Sequence, residues 1–297
     1  MKNIQDGFYP VALTVNSSDS SGAGGIQSDL RTFNAAGIYG CSAVTAVTVR
    51  NFSGQCCMEN VSGALVGKQL DSILNSMAVK AVKIGRLGNL EVMEAVVKSL
   101  QKKQLPTVID PVMFSGNGTA LLDECCMQFV KEKLLPAASF ITLDIFEAAW
   151  LLDRKLQGKT EIVKAAQTLA GNYKCNIFLA AGCDGENALA DGIVVLNGKS
   201  YLLSTPALNE LDDSAFYGSR DTFSGAVTAM LACGNNWKDA VRNARAYVYG
   251  SLCETALVGK ALEAMYPPLE DYSRAVALRR VDGKPAGKGG KHVRKTL

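Results

Sequence analysis

Residues 81–109 read AVKIGRLGNLEVMEAVVKSLQKKQLPTVI, in which two short apolar runs flank a longer amphipathic stretch. The runs at 81–84 and 107–109 are typical of buried parallel strands, and the pattern over 89–103 is helical. Further apolar runs lie at 11–15, 43–49, 140–142 and 177–181, with helical patterns at 120–135 and 160–172. Because this alternation is typical of right-handed β-α-β crossovers, it predicts an α/β fold with a mainly parallel central sheet.

The pattern changes near the end of the chain. Apolar runs at 192–196 and 200–204 flank Asn197-Gly198, a dipeptide suited to the positive φ angles of a type I′ turn, so a late β-hairpin is predicted. Helical patterns follow at 221–234 and 237–258. We therefore expect a sheet of about eight or more strands with helices on both faces, and a ligand site beyond the carboxyl ends of its strands.

Charge is distributed unevenly along the 297 residues. Residues 279–297 carry seven Lys or Arg against one acid, so the rest of the chain has a net charge of −3 although the whole has +3. We expect residues 1–278 to form a single domain and residues 279–297 a basic, flexible tail. Weak contact of this tail with nucleic acid is the less favoured interpretation.

The cysteines and the single histidine limit the cellular compartment and the kinds of catalytic or metal site that are expected. The nine cysteines include no Cys-x-x-Cys element, and no apolar run has the length of a membrane-spanning segment, which together favour a reduced cytoplasmic protein without a membrane partner. The only histidine is His292, in the basic tail. A histidine-based triad, metal cluster or general base is therefore not expected in the body of the chain.

Residues 218–226, Gly-Ser-Arg-Asp-Thr-Phe-Ser-Gly-Ala, place the carboxylate of Asp221 at the start of an apolar helix. The unpaired backbone N–H groups of a helix start bind anions, and a carboxylate on the same turn could accept a proton from an attacking alcohol. The combination suggests phosphoryl transfer to a hydroxyl group. The alternative is an Asp that only complements the helix dipole.

Other candidate residues follow the predicted strands. A small-residue loop spans 16–25 and lets backbone approach a ligand, although it matches neither a Walker A loop nor the dinucleotide fingerprint. Asp110 follows the run at 107–109, and Asp144 and Glu147 follow the run at 140–142. Carboxylates at strand ends suit Mg²⁺, whereas the alternative for each is a helix cap or a solvated acid.

Several of these motifs together resemble the hydroxymethylpyrimidine/phosphomethylpyrimidine kinases and pyridoxal kinases of the ribokinase superfamily, over roughly residues 10–260. The resemblance implies a three-layer α/β/α ribokinase-like fold, usually a homodimer, that uses Mg-ATP to phosphorylate the hydroxymethyl group of a small heteroaromatic vitamin precursor. The matching segments are Ser18–Gly22, Gly25–Asp29, Thr32-Phe33, Gly40–Thr48, Val82–Gly85, Leu87–Asn89, Asp110–Met113, Leu135-Pro136, Ile141-Thr142, Glu147-Ala148 and Gly218–Ala226.

The resemblance also implies roles for individual residues. Asp221 would be the general base, and Gly218, Ser219 and Arg220 would form the anion hole for the transferred phosphoryl group. The residues implied elsewhere are Ser17 and Asp19 at the acceptor pocket, Asp110 and Glu147 at Mg²⁺ and the phosphates, and Asp144 and Gly182 at the nucleotide.

Some positions depart from the family pattern. Arg220 stands where the family usually has Gly, and Ala180 replaces a lysine near the nucleotide. Arg50 replaces a Gln and Arg86 a Met at positions that the family uses for the acceptor ring, so we expect both arginines to line the acceptor pocket. A side chain at 220 would cost about 1–2 kcal/mol if that position required positive φ. Three functions stay open: a kinase whose arginines favour an anionic or strongly polar acceptor, an ordinary vitamin-precursor kinase, or a kinase-derived ligand-binding or regulatory protein with weak or no catalysis.

Overall fold

The protein is described here from a computed structural model that covers residues 9–51, 54–101, 103–184, 189–208, 211, 213–259 and 262–281. The strands are β1 (Val11–Asp19), β2 (Tyr39–Asn51), β3 (Gly54–Asn60), β4 (Val79–Ile84), β5 (Thr107–Ile109), β6 (Phe140–Leu143), β7 (Asn176–Asp184), β8 (Leu189–Leu196), β9 (Lys199–Pro206), β10 (Ala256–Gly259), β11 (Leu262–Ala264) and β12 (Ala277–Arg280). The α-helices are α1 (Gly25–Ala35), α2 (Gly63–Ser76), α3 (Leu90–Leu100), α4 (Glu124–Phe129), α5 (Ile145–Leu151), α6 (Gly158–Tyr173), α7 (Ser219–Ala232) and α8 (Trp237–Cys253).

Ten strands form one sheet in the order β12-β9-β8-β7-β6-β5-β4-β1-β2-β3. The neighbours from β2 through β1, β4, β5 and β6 to β7 are parallel, whereas β3, β8, β9 and β12 pair antiparallel. The predicted α/β class and mainly parallel sheet are confirmed.

Helices cover both faces of the sheet, because alternate side chains of the strands point to opposite faces and each face must be buried. Leu13 and Val15 pack in a core under helices α2 to α6, while Ala12 packs on the opposite face with Phe33 of α1 and Ala229 of α7. The result is the expected three-layer α/β/α architecture.

The predicted late hairpin is formed by β8 and β9, which pair antiparallel from Leu189↔Pro206 to Leu196↔Lys199. Asn197 has φ 49° and Gly198 has φ 74°. Positive φ at both central residues is the requirement of a type I′ turn, so the Asn-Gly signal is confirmed.

Two predicted helices were too long. The helical segment predicted over 120–135 starts later, at Glu124, and only its first six residues form an α-helix, α4; the chain then continues as a π turn at Val130–Leu134 and a 3₁₀ turn at Leu135–Ala137. Helix α8 ends at Cys253 rather than at 258, because residues from Ala256 onward pair with β11 instead.

The sequence patterns did not indicate α2, the edge strand β3, the β10-β11 hairpin or β12. Strand β12 pairs with β9 through Arg280, so the expected domain boundary at 278 falls inside a strand, and the remainder of the basic tail, including His292, lies outside the described residues. Among the described helices, none is both long and apolar enough to cross a bilayer.

Candidate active site

A cleft of about 580 Å³ lies where the carboxyl ends of β1, β4, β5 and β6 face the start of α7. Four of the five carboxylates predicted as site residues line this cleft, namely Asp19, Asp110, Asp144 and Asp221. Glu147 is fully buried beside it and contacts the lining residue Arg220. The predicted acceptor and anion-hole residues also line the cleft: Ser17, Arg50, Arg86, Gly218, Ser219 and Arg220.

Asp221 lies on the first turn of α7 with 22% of its side chain exposed to the cleft. Its Oδ1 accepts from Lys83 Nζ at 2.7 Å and from Asn16 Nδ2 at 3.0 Å, and its Oδ2 accepts from the backbone N–H of Gly25 at 2.9 Å. Three donors from β1, α1 and β4 therefore fix the carboxylate while one edge stays accessible.

Lys83 is fully buried and connects Asp221 to a fully buried acid, Asp29. Its Nζ lies 2.5 Å from Asp29 Oδ1, and Asp29 Oδ2 accepts from Thr14 Oγ1 at 2.6 Å and from Asn16 Nδ2 at 3.1 Å. We call Lys83, Asp29 and Asp221 the lysine cluster. No site role was predicted for Lys83 or Asp29 from the sequence, although a lysine inside the apolar run at 81–84 indicates a buried charge that needs an acidic partner.

Electrostatics keep Asp221 ionised. Burial alone would raise its pKa, but the charge of Lys83 and the hydrogen bonds from Lys83, Gly25 and Asn16 outweigh burial and lower that pKa below its ordinary value. Burial raises the pKa of Asp29 to about 6 despite the opposing effect of Lys83. Burial would lower the pKa of Lys83, but the charges of Asp221 and Asp29 raise it by more. Lys83 therefore remains a cation.

The turn before α7 requires glycine at 218 rather than at 220. Gly218 has φ 82°, and a Cβ there would lie 1.9 Å from the carbonyl oxygen of Ala23. Arg220 lies within α7, and its φ is not positive. The backbone strain considered for Arg220 therefore does not arise, because the left-handed residue is two positions earlier.

The side chain of Arg220 contacts three carboxylates. Its Nη1 lies 2.7 Å from Asp144 Oδ2, and its Nη2 lies 2.9 Å from Glu147 Oε2 and also donates to Asp110 Oδ1. Asp144 and Glu147 form a capping box at the start of α5, which fixes both side chains. We call Arg220, Asp110, Asp144 and Glu147 the arginine cluster.

Burial is the main influence on the acids of the arginine cluster. It raises the pKa of Glu147 to about 7 and raises that of Asp110, in both cases against the opposing charge of Arg220. The pKa of Arg220 itself is raised, because the three acids outweigh its burial. The metal-ligand roles predicted for Asp110 and Glu147 do not fit this arrangement, since both carboxylates are paired with the guanidinium.

At the end of the cleft beside β1 and β2, Tyr217 contacts Asp19 and one of the two arginines that line this end, Arg50. Its hydroxyl donates to Asp19 Oδ2 at 2.5 Å, and the guanidinium of Arg50 lies 4.4 Å from its ring centroid. Burial, and secondarily the charge of Arg50, lowers the pKa of Arg86. Tyr217 was missed by the sequence analysis because nothing in its local pattern distinguishes it from a loop aromatic residue.

A second cavity of about 240 Å³ lies on the other side of Arg220. Its walls include Phe178, Phe223 and Tyr249, and it shares Ala180, Phe216, Ser219 and Arg220 with the cleft. Gly182, predicted at the nucleotide, lies in β7 and pairs with Asp191 of β8.

Comparison with known sequences gives one consistent relationship. The family described as Phosphomethylpyrimidine kinase matches residues 19–265. The hydroxymethylpyrimidine/phosphomethylpyrimidine kinase of Haemophilus influenzae is 32% identical over 252 residues, covering 84% of this chain and 93% of the relative. That of Rhizobium meliloti is 33% identical over 244 residues, covering 82% and 90%.

Solved structures show the same relationship. Bacillus subtilis pyridoxal kinase in its ADP complex is similar with a TM-score of 0.78 and 28% identity, over 88% of this chain and 98% of that one. Staphylococcus aureus pyridoxal kinase with pyridoxal gives 0.79 and 26%, over 93% and 100%. Clostridium difficile phosphomethylpyrimidine kinase gives 0.70 and 29%, over 80% and 97%.

Proposed function

The chain belongs to the phosphomethylpyrimidine kinase family, and from this membership we propose that it transfers the terminal phosphoryl group of ATP to the hydroxymethyl group of a small heteroaromatic ring. The acceptor is of the hydroxymethylpyrimidine or pyridoxal type, as the names of its relatives indicate for those proteins. The observation that carries the proposal is the partly exposed, ionised carboxylate of Asp221 on the first turn of α7, at the cleft.

Asp221 is proposed as the general base. Its carboxylate would accept the proton of the acceptor hydroxyl as the oxygen bonds to phosphorus, and Lys83 would hold the carboxylate in place. A base with a lowered pKa takes the proton late in the reaction. That timing suits a loose phosphoryl-transfer transition state, in which the attacking oxygen gains little positive charge until the phosphoryl group is nearly detached from ADP.

The start of α7 is proposed as the anion hole. The first backbone N–H groups of a helix have no intrahelical partners, so those of Ser219, Arg220 and Asp221 would face the transferred phosphoryl group. Gly218 would permit the close approach of this turn to the loop at Ala23. Positioned donors of this kind stabilise the charge of the transition state more than that of the ground state.

We place the nucleotide between the two cavities. The aromatic walls of the smaller cavity, Phe178, Phe223 and Tyr249, suit the adenine ring, and the phosphates would extend past Arg220 towards Asp221. Asp144 and Gly182 keep their predicted nucleotide-side roles. Mg²⁺ would enter as part of the Mg-ATP substrate, with no protein ligand assigned to it.

The acceptor is proposed to carry an anionic or strongly polar substituent. Arg50 and Arg86 line the acceptor end of the cleft together with Ser17 and Asp19, and two neighbouring guanidinium groups favour an anion such as a phosphate or carboxylate between them. Replacing both, as Arg50→Gln/Arg86→Met, should weaken binding of hydroxymethylpyrimidine phosphate by roughly 10–100-fold and spare neutral hydroxymethylpyrimidine. Calorimetric titration of both ligands measures this, and equal loss for both would contradict a charge-selective role.

A homodimer is also proposed, on the family resemblance and on exposed apolar side chains of β2 such as Val47 and Val49. Light scattering at several protein concentrations tests the association. A monomer at all of them would refute it.

The experiment for the main proposal is a product assay with Mg-ATP and four acceptors: pyridoxal, pyridoxine, hydroxymethylpyrimidine and hydroxymethylpyrimidine phosphate. We expect acceptor-dependent ADP release and a phosphorylated acceptor identified by mass for at least one of them. Tight acceptor binding in calorimetry without ADP release would favour the ligand-binding alternative. Neither binding nor turnover would refute the acceptor class.

A further inference from the structure

Three acids from two parts of the chain meet at the guanidinium of Arg220. Asp110 follows β5, Asp144 caps α5, and Glu147 lies in the first turn of α5. Asp110 and Glu147 have no exposed side-chain surface. Buried carboxylates in such proximity require a compensating cation, and the fork of Arg220 supplies it through both terminal nitrogens.

Most carboxylate oxygens of the arginine cluster already accept hydrogen bonds. Glu147 Oε1 accepts from the backbone N–H of Met113 at 2.9 Å, and its Oε2 accepts from that of Asp144 at 2.9 Å as well as from Arg220. Asp144 Oδ1 accepts from the N–H of Glu147 at 2.9 Å. In the described part of the chain, Asp110 Oδ2 is the one buried carboxylate oxygen here without a hydrogen-bond partner.

We propose that the guanidinium of Arg220 is the resident cation of this cluster and takes the position that a protein-bound divalent cation would otherwise occupy. Divalent cations bind through several oxygens, and one spare buried oxygen does not make such a site. The nucleotide-free protein therefore binds no divalent cation at Asp110, Asp144 and Glu147. Removing the guanidinium exposes a three-carboxylate site that does.

Because Arg220 stands in place of a bound divalent cation, its position matters for the phosphate region of the proposed kinase. The side chain is 35% exposed and lines both the cleft and the smaller cavity, so part of the guanidinium faces the space assigned to the phosphates. A covalently attached positive charge stays in the site when ADP leaves. The inference concerns the proposed phosphate region, but its test uses neither nucleotide nor turnover, so it can fail while the kinase assignment holds.

The test is Mn²⁺ binding to nucleotide-free protein, followed by the electron paramagnetic resonance signal of free Mn²⁺. Arg220→Met removes the charge and keeps much of the side-chain volume, and we expect it to bind one Mn²⁺ at least about ten-fold more tightly than the wild type does. The double variant Arg220→Met/Asp110→Asn should lose that site. Arg220→Lys, which retains the charge, should behave more like the wild type.

Two results would overturn the inference. One is a wild-type Mn²⁺ site that disappears in Asp110→Asn, a measurement that does not depend on the folding of any Arg220 variant. The other is a folded Arg220→Met protein that binds Mn²⁺ no more tightly than the wild type. Circular dichroism establishes folding, and a rise of the Arg220→Met melting temperature with Mg²⁺, absent in the wild type, would support the inference.

Discussion

Two consecutive residues on the first turn of α7 belong to different charge clusters. Asp221 joins the lysine cluster, where the compact ammonium of Lys83 lies between two carboxylates. Arg220 joins the arginine cluster, where a planar guanidinium contacts three. The comparison shows how one helix turn can separate two tasks: the lysine cluster lowers the pKa of the acid it presents to the cleft, whereas the arginine cluster leaves the pKa of Glu147 raised.

The largest expected effect comes from the lysine cluster. Lys83→Met leaves the buried carboxylate of Asp29 and the partly exposed carboxylate of Asp221 without their cation and should lower the free energy of unfolding by about 3–5 kcal/mol. Acceptor-dependent activity should be lost with it. Urea unfolding measures the change, with Lys80→Met as the matched control, because Lys80 is an exposed lysine of the same strand. Equal stability of the two variants would show that Lys83 does not compensate the acids.

A smaller loss of stability is expected when the arginine cluster is disrupted. Arg220→Met should lower the free energy of unfolding by about 1–3 kcal/mol, because the side chain is partly exposed and Glu147, with a pKa of about 7, can take up a proton in its absence. Urea unfolding without divalent cations gives the comparison with Lys83→Met. If Arg220→Met were the more damaging change, the ranking of the two clusters would be reversed.

The smallest effect is a pH dependence above pH 6 to which the arginine cluster contributes most, because the pKa is about 7 for Glu147 but about 6 for Asp29 of the lysine cluster. The pKa of Glu147 is about 7 in the folded protein against 4.5 for the ordinary group, so the folded state binds the proton more tightly and rising pH favours unfolding in this interval. Between pH 6 and pH 7 the free energy of unfolding should fall by up to about 1 kcal/mol, and less in Glu147→Gln. If the free energy of unfolding changed equally with pH in the wild type and in Glu147→Gln, another group would be responsible for the titration.

Local patterns were sufficient for the main features of the fold. Alternating apolar runs predicted the parallel strands, and Asn197-Gly198 predicted the hairpin, because both signals depend on neighbours in sequence. The apolar spacing over 120–135 predicted a helix but not its type, because that spacing continues through a π turn and a 3₁₀ turn, where the hydrogen bonding changes but the apolar pattern does not.

The site was only partly predictable for the same reason. Asp221 is marked by its place at a helix start, whereas the partners of Lys83 lie 54 and 138 residues away and are set by the packing of β4 against α1 and α7. The sequence showed that Arg220 is unusual, but not that its side chain turns towards Asp110, Asp144 and Glu147. Side-chain direction over such separations depends on the tertiary structure.

The most direct test of the central claim, that Asp221 is a base held by Lys83, is the acceptor-dependent rate of phosphoryl transfer by Asp221→Asn. Asp239→Asn is the matched control, since Asp239 is the third residue of α8 as Asp221 is of α7, but is exposed and outside the cleft. We predict that Asp221→Asn folds, binds ATP and loses roughly 10²–10⁴-fold in rate, while Asp239→Asn is unchanged. An Asp221→Asn rate within a few-fold of wild type would contradict the claim and reduce Asp221 to an acid that complements the helix dipole.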